Sequence, residues 1–368
     1  MTLAVRFAPF KGVLIETKTA LHPMKYEKRT GMKKIVMLVA LSLGAQAGLA
    51  HAADLKVQNR YSIPGHDGWD YITVDSINRR VYVSHSVRVN VLDADTGAAV
   101  GIIEDTPGVH GIAIAPNQKH GFTSNGKEDK VSMFDIITLA VIKKIEVGGG
   151  PDGIYFDAGS QRVFTNNHHS HDITAIDAAT GEVAGTVHVE GNGEGAVTGK
   201  DGLIYVALED KNEIAVFDPK TLQVKRHLPL DGVTAPTGLA VDTKTNRLFV
   251  GGHNKTMLVL DAATGKRIVS LSTGSGTDAA GFDPRNHLVF FSNGEGNLTV
   301  IQEKSSNDYV ALPSVTTQKS AKTMALDGKT GKIFLPAAEV VNTPASDPSQ
   351  KPKHTVTDGT FCVLVVGK

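Results

Sequence analysis

The chain has 368 residues, 41% of them hydrophobic but only 6% aromatic, and its 38 Lys and Arg balance 38 Asp and Glu. That length allows a large buried core, and the shortage of aromatics suits packing by Val, Ile and Leu on half-buried strands. Without residues 1–53, read as lost from the mature protein, the chain is net acidic, which speaks against nucleic acid as a partner, since such binding gains affinity from surplus Lys and Arg. Cys362 is the only cysteine, which excludes an intramolecular disulfide and a C-x-x-C-H haem attachment.

Residues 1–31 show no clear strand or helix period and are read as an upstream extension, with Met24 and Met32 as alternative starts. Residues 32–53 read as a secretory signal: Lys33 and Lys34, then an apolar run, then Ala50-His51-Ala52 as a small-x-small cleavage site. The run is too short to span a membrane permanently. Losing residues 1–53 removes eight basic and two acidic residues from a neutral chain, leaving −6. A periplasmic or secreted monomer with no membrane span after cleavage is expected.

From Val89 to Ser306 one phrase returns six times, ending a strand at Asp93, Asp135, Asp177, Asp218, Asp261 and, degraded, Gln302. The steps are 42, 42, 41, 43 and 41 residues. Apolar runs at that period, separated by turn residues, predict a β-propeller with four strands per blade. Blade two reads as G-I-A-I-A from Gly111, G-F-T-S from Gly121, V-S-M-F-D to Asp135 and A-V-I-K-K-I-E-V to Val147. The Asp closing each third strand, with Thr or Ser three residues on, is read as a turn former and not as a row of catalytic acids. The last repeat, from Ala321, lacks a fourth strand, and Leu55–Ile63 has that strand's character. Pairing the two ends would close seven blades over 54–368 and remove exposed edges. The fold class is therefore all-β, a seven-bladed propeller closed by its N-terminal strand.

The repeats G-P-D-G-I-Y-F-D, R-V-F-T-N and I-D-A-A-T-G-E-V, from Gly150 to Val183, resemble the YVTN class, in particular the periplasmic YncE-like propellers. The Y-V-T-N signature itself stands here as V-Y-V-S-H, F-T-S-N, F-T-N-N and F-F-S-N. The resemblance covers essentially the whole of 54–368 and implies an exported binding propeller.

Strands that reverse at every step put the turn before the first strand and the turn after the second on one face. Two rings of side chains are therefore expected at one mouth of the channel. The first is Asp70, His110, Asp152, Glu194, Thr237, Asp278 and Lys322; the second is His85, Asn125, Asn167, Glu209, Gly252 with His253 beside it, Asn293 and Ala337. Convergent polar groups in a concavity make a candidate ligand site, although bonds between blades would explain the same residues. The densest cluster, N-N-H-H-S-H-D from Asn166 to Asp172, lies beside Asp152. His110, Asp152, Glu194 and His168 are the candidate ligands for a divalent cation, and Glu194 with Asn125 and Asn167 could instead hold calcium. Trp69, the only tryptophan, could stack on a sugar or flat cofactor at the same level, or pack between blades. Residues 339–359 lengthen the last repeat to 63 residues and should hang over the same mouth; their Pro, Ser and Lys content points to disorder.

Three functions fit these features. A non-enzymatic propeller binding a small molecule or a periplasmic protein partner is the reading the YncE-like resemblance favours. A metal-assisted hydrolase, lactonase or lyase would use His110, Asp152, Glu194 and His168 at the same mouth. An accessory to quinoprotein dehydrogenase pathways is the third, the turn D-x-x-T-G being similar to that of quinone-binding propellers, which add a tryptophan per blade.

Overall fold

The computed structural model describes residues 54–343 and 353–368. The extension and secretory signal expected at 1–31 and 32–53 lie outside the described residues.

Alternating side chains and short turn-forming connections give four-strand antiparallel sheets in sequence order, as in Pro151–Asp157, Arg162–Asn167, Asp172–Asp177 and Val183–His188 of blade three. Six such sheets succeed one another along residues 72–316, the sixth adding the two-residue strand Val315–Thr316 beside its third. The seventh joins Ala325–Leu326, Ile333–Ala337 and Cys362–Gly367 to Lys56–Ser62. Lys56 faces Gly367 and Ser62 faces Cys362 in that closing ladder. Seven blades and closure by the leading strand therefore match the expectation.

The packing between blades repeats as faithfully as the turns. One aromatic residue per blade, Tyr82, Phe122, Phe164, Tyr205, Phe249, Phe290 and Phe334, occupies the same register in the second strand, and each is at most 2% exposed. Burying each contributes about 1.5–3 kcal/mol, so few aromatics suffice when each has a fixed place. Cys362 is buried at the start of the strand Cys362–Gly367.

The ends of the segment 339–359 pair with each other, Val340–Thr343 against Lys353–Val356, and Thr357 N–H donates to the Glu339 carbonyl at 2.8 Å. The expectation of disorder is not met at these two ends, and residues 344–352 lie outside the described residues. The strands V-V-N-T and K-H-T-V satisfy each other's backbone, which the overall composition conceals.

Candidate functional site

The first ring sits one step deeper than expected. In blades two to six its residue is the second of the innermost strand and not part of the preceding turn: His110, Asp152, Glu194, Thr237 and Asp278. Each of these strands shifts register at that point, as between Pro151 and Ile154 or Gly193 and Ala196. Such an irregularity re-aims a side chain. A glycine follows the ring residue in four blades, and a Cβ on Gly195 would lie 2.5 Å from the Thr237 carbonyl oxygen. The second strand then clasps the next blade: Asn166 Nδ2 donates to the Glu194 carbonyl at 2.8 Å, Ser292 Oγ to the Lys322 carbonyl at 2.5 Å, and Ser124 Oγ to the Asp152 carbonyl. Inner strands held this tightly fix the ring's side chains in place.

These side chains form a continuous polar chain around the mouth. Lys322 Nζ lies 2.7 Å from Asp278 Oδ2 and 3.3 Å from Asp70 Oδ1. Asp70 Oδ2 lies 2.8 Å from His110 Nδ1, which is 3.4 Å from Asp152 Oδ2. His168 continues the chain, with Nδ1 3.8 Å from Asp152 Oδ2 and Nε2 3.5 Å from Glu194 Oε1. Thr237 takes no part in it, donating its hydroxyl to the Thr277 carbonyl at 2.7 Å. Within the ring opens a cavity of about 400 Å³, which Glu209 and His253 also line.

Tyr71 is the member that sequence reasoning missed. Its hydroxyl donates to Glu194 Oε2 at 2.5 Å across 123 residues of chain. The available signal was a departure: Tyr71 stands where four other blades have glycine.

Electrostatics divide the ring into two halves. Burial would raise Asp70, but the His110 hydrogen bond and Lys322 hold it below the usual carboxylate range. Burial would lower His110, yet the bond to Asp70 and the charges of Asp152 and Asp70 raise it. Lys322 is raised by Asp70 and Asp278 against the opposing effect of burial. On the other side, burial pushes Asp152 up and Glu194 well above the usual range, and the charges of Asp152 and Asp278 add to the latter. Burial and the neighbouring Glu194 likewise raise the Tyr71 phenol well above 10. One half of the mouth is thus internally neutralised, and the half formed by blades three and four holds an excess of carboxylate.

The second ring mostly does other work. Asn125 Nδ2 donates to Ser132 Oγ at 2.8 Å and to Glu128 Oε1 at 2.8 Å; Asn167 Nδ2 donates to Thr174 Oγ1 at 2.9 Å; Asn293 Nδ2 donates to Thr299 Oγ1 at 2.9 Å. All three are buried and tie the second strand to the third inside their own blade. Asn125 Oδ1 accepts from Thr123 Oγ1 at 2.9 Å, and neither Asn125 nor Asn167 lines the cavity with Glu194, so the expected calcium set of these three is not brought together at the mouth. His85 is fully buried, its Nδ1 2.8 Å from Asn90 Oδ1 and its ring 4.7 Å from that of Phe361. Trp69 packs on the same Phe361 with centroids 5.2 Å apart, which places one face of its half-buried ring in the seam between blades seven and one. Gly252 and Ala337 offer no polar group, and only Glu209 and His253 of this ring reach the cavity.

A sequence profile of the family described as outer membrane protein assembly factor BamB matches residues 85–334. No curated protein matches the chain. Among solved structures, hydrazine synthase of Kuenenia stuttgartiensis is similar with a TM-score of 0.64 at 15% identity, over 76% of this chain and 95% of that one. A chain of the mitotic checkpoint complex is similar with a TM-score of 0.67 at 16% identity, over 92% of this chain and 99% of that one. Identities this low speak for the fold alone.

Proposed function

This chain belongs to the family described as outer membrane protein assembly factor BamB, and we propose that it is an exported, YncE-like propeller that binds a ligand at its charged mouth without transforming it. The observation that carries the reading is the cavity of about 400 Å³ ringed by ionisable groups, Glu194 and Asp278 buried and Asp70, His110, Asp152 and His168 half-buried, most of them held in place by the innermost strands. Carboxylates in a concavity of low polarisability select partners that bring hydrogen-bond donors or positive charge. The ligand is accordingly a polar small molecule, or the basic side chain of a periplasmic protein partner. Export is supported by the signal-like residues 32–53. Among the described residues no helix is long and apolar enough to cross a membrane.

The test is a thermal-shift survey of the purified chain in chelator with polyamines, amino acids and short basic peptides, repeated on Glu209→Gln and Asp278→Asn. A stabilising compound whose effect falls in both variants supports the reading; no stabilisation by any compound, or the same shift in both variants, overturns it. Amino-terminal sequencing of exported protein should begin at Ala53 or Asp54. The hydrolase or lyase reading keeps one favourable observation, the convergence of His110, Asp152, His168 and Glu194. Turnover of a lactone or ester that stops in His110→Ala would replace binding by catalysis.

A further inference from the structure

We propose that the corner of the mouth formed by Asp152, His168 and Glu194 is a binding site for a transition-metal dication. The three residues each offer one ligand atom, and those atoms lie within 4.8 Å of one another. Asp152 and Glu194 come from the innermost strands of blades three and four, and His168 from the turn that follows Arg162–Asn167. None of the three depends on residues 344–352.

Hydrogen bonding prepares each donor. The Gly193 carbonyl, 2.9 Å from His168 Nε2, can only accept, so Nε2 carries the proton and the ring's lone pair lies on Nδ1, 3.8 Å from Asp152 Oδ2. A backbone carbonyl that fixes the tautomer in this way is the usual support of a metal-bound histidine. Tyr71 commits Oε2 of Glu194 and leaves Oε1, which lies 3.5 Å from the N–H-bearing Nε2 of His168, free to coordinate. The Asp152 carboxylate has the nitrogens of His110 and His168 at 3.4 and 3.8 Å as its nearest basic neighbours, both long for a hydrogen bond. Atoms bound to one dication at about 2.0–2.2 Å lie roughly 3–3.5 Å apart, so the donors must draw together from a spread of up to 4.8 Å.

The alternative trio of Asp70, His110 and Asp152 also has its ligand atoms within 4.8 Å of one another. Its His110 Nδ1 and Asp70 are already bonded to each other, and Lys322 supplies the counter-charge. Charge therefore favours the Asp152, His168 and Glu194 corner, where carboxylates outnumber cations. One imidazole nitrogen with two carboxylate oxygens suits zinc or manganese better than calcium or magnesium, which take oxygen alone. Three protein donors leave coordination positions that face the cavity. The inference deepens the reading of the mouth as a binding site and adds a ligand that needs no organic partner.

Chelator-stripped protein is titrated calorimetrically with Zn²⁺, Mn²⁺ and Ca²⁺. One equivalent of Zn²⁺ or Mn²⁺ should bind, reversibly with EDTA, and Ca²⁺ at least about 100-fold more weakly. Asp152→Asn and His168→Ala should each weaken binding by about 100-fold or more, and Tyr71→Phe by about tenfold. His169→Ala and His171→Ala should leave it unchanged. If Asp152→Asn fails to fold, Glu194→Gln takes its place, and the visible spectrum of the Co²⁺ form should change in His168→Ala. Absence of stoichiometric binding overturns the proposal, as does binding that survives Asp152→Asn and is lost in His169→Ala or His171→Ala. Metal binding is measured without organic ligand and the survey above in chelator, so either reading can fail alone.

Discussion

Carboxylates crowd both ends of this propeller, and the two ends treat them in opposite ways. Away from the mouth, aspartates close the turns between strands and accept hydrogen bonds from the next few residues. Asp93 takes the Thr96 amide and hydroxyl, both at 2.8 Å, and those bonds hold it below the usual range. Asp327 takes Ser76 Oγ at 2.6 Å and Arg79 Nη1 at 2.7 Å from blade one, besides its own turn. Burial alone would raise it, but donors from Ser76, Thr330 and Arg79 bring it down to about 2. At the mouth, Glu194 has one neutral donor and several acidic neighbours, and it is raised. The same functional group stabilises where local donors outnumber charges and strains the fold where charges outnumber donors. Fold and candidate site are separated by that difference.

Removing Asp327 should break the comparison hardest. Asp327→Ala leaves Arg79 without its buried partner at the closing seam and should cost about 3–5 kcal/mol, read as a lower urea midpoint. A lowered carboxylate contributes stability above its unfolded value of about 3.9, and that contribution is lost as pH falls through about 2. Asp327→Asn should therefore flatten the acid limb of the stability curve between those two values; an unchanged limb would deny Asp327 its fastening role.

Next in size is Gly195→Ala, whose Cβ would press on the Thr237 carbonyl. It should cost roughly 1–3 kcal/mol by the same measurement. An equal loss in Gly202→Ala, where a Cβ meets nothing but φ is positive, would assign the effect to backbone conformation and not to the approach of neighbouring blades.

The smallest effect has the opposite sign. In chelator-treated protein, Glu194→Gln should be as stable as the parent or more stable at pH 7. A raised carboxylate favours folding below its unfolded value of about 4.3 and loses that advantage as pH rises through its folded value. The parent should thus decline above about pH 4 relative to the variant. Destabilisation by Glu194→Gln at pH 7 would mean that the mouth is satisfied like the far end.

The turn aspartates were legible because their partners lie two or three residues away, and a repeat near 42 residues displays that pattern many times. Ring membership was legible too, since strand parity places His110, Asp152 and Glu194 at one end of the channel. Their depth was not: the register shift that turns them inward depends on how each inner strand meets its neighbour. The amides of Asn125, Asn167 and Asn293 occupy the expected positions yet point into their own hairpins, toward hydroxyls of the third strand. Trp69 and His85 stand at mouth level in the sequence and are claimed by Phe361 of the last blade.

The amino-acid sequence by itself determined the blade count, the turns and the closing strand, because each rests on short-range alternation and hydrogen bonding that repetition amplifies. Tertiary structure alone decided which polar side chains share a cavity, that Tyr71 reaches Glu194, and where charge stays uncompensated. Those properties arise between blades, where residues 40 to 252 positions apart meet at distances no local pattern encodes.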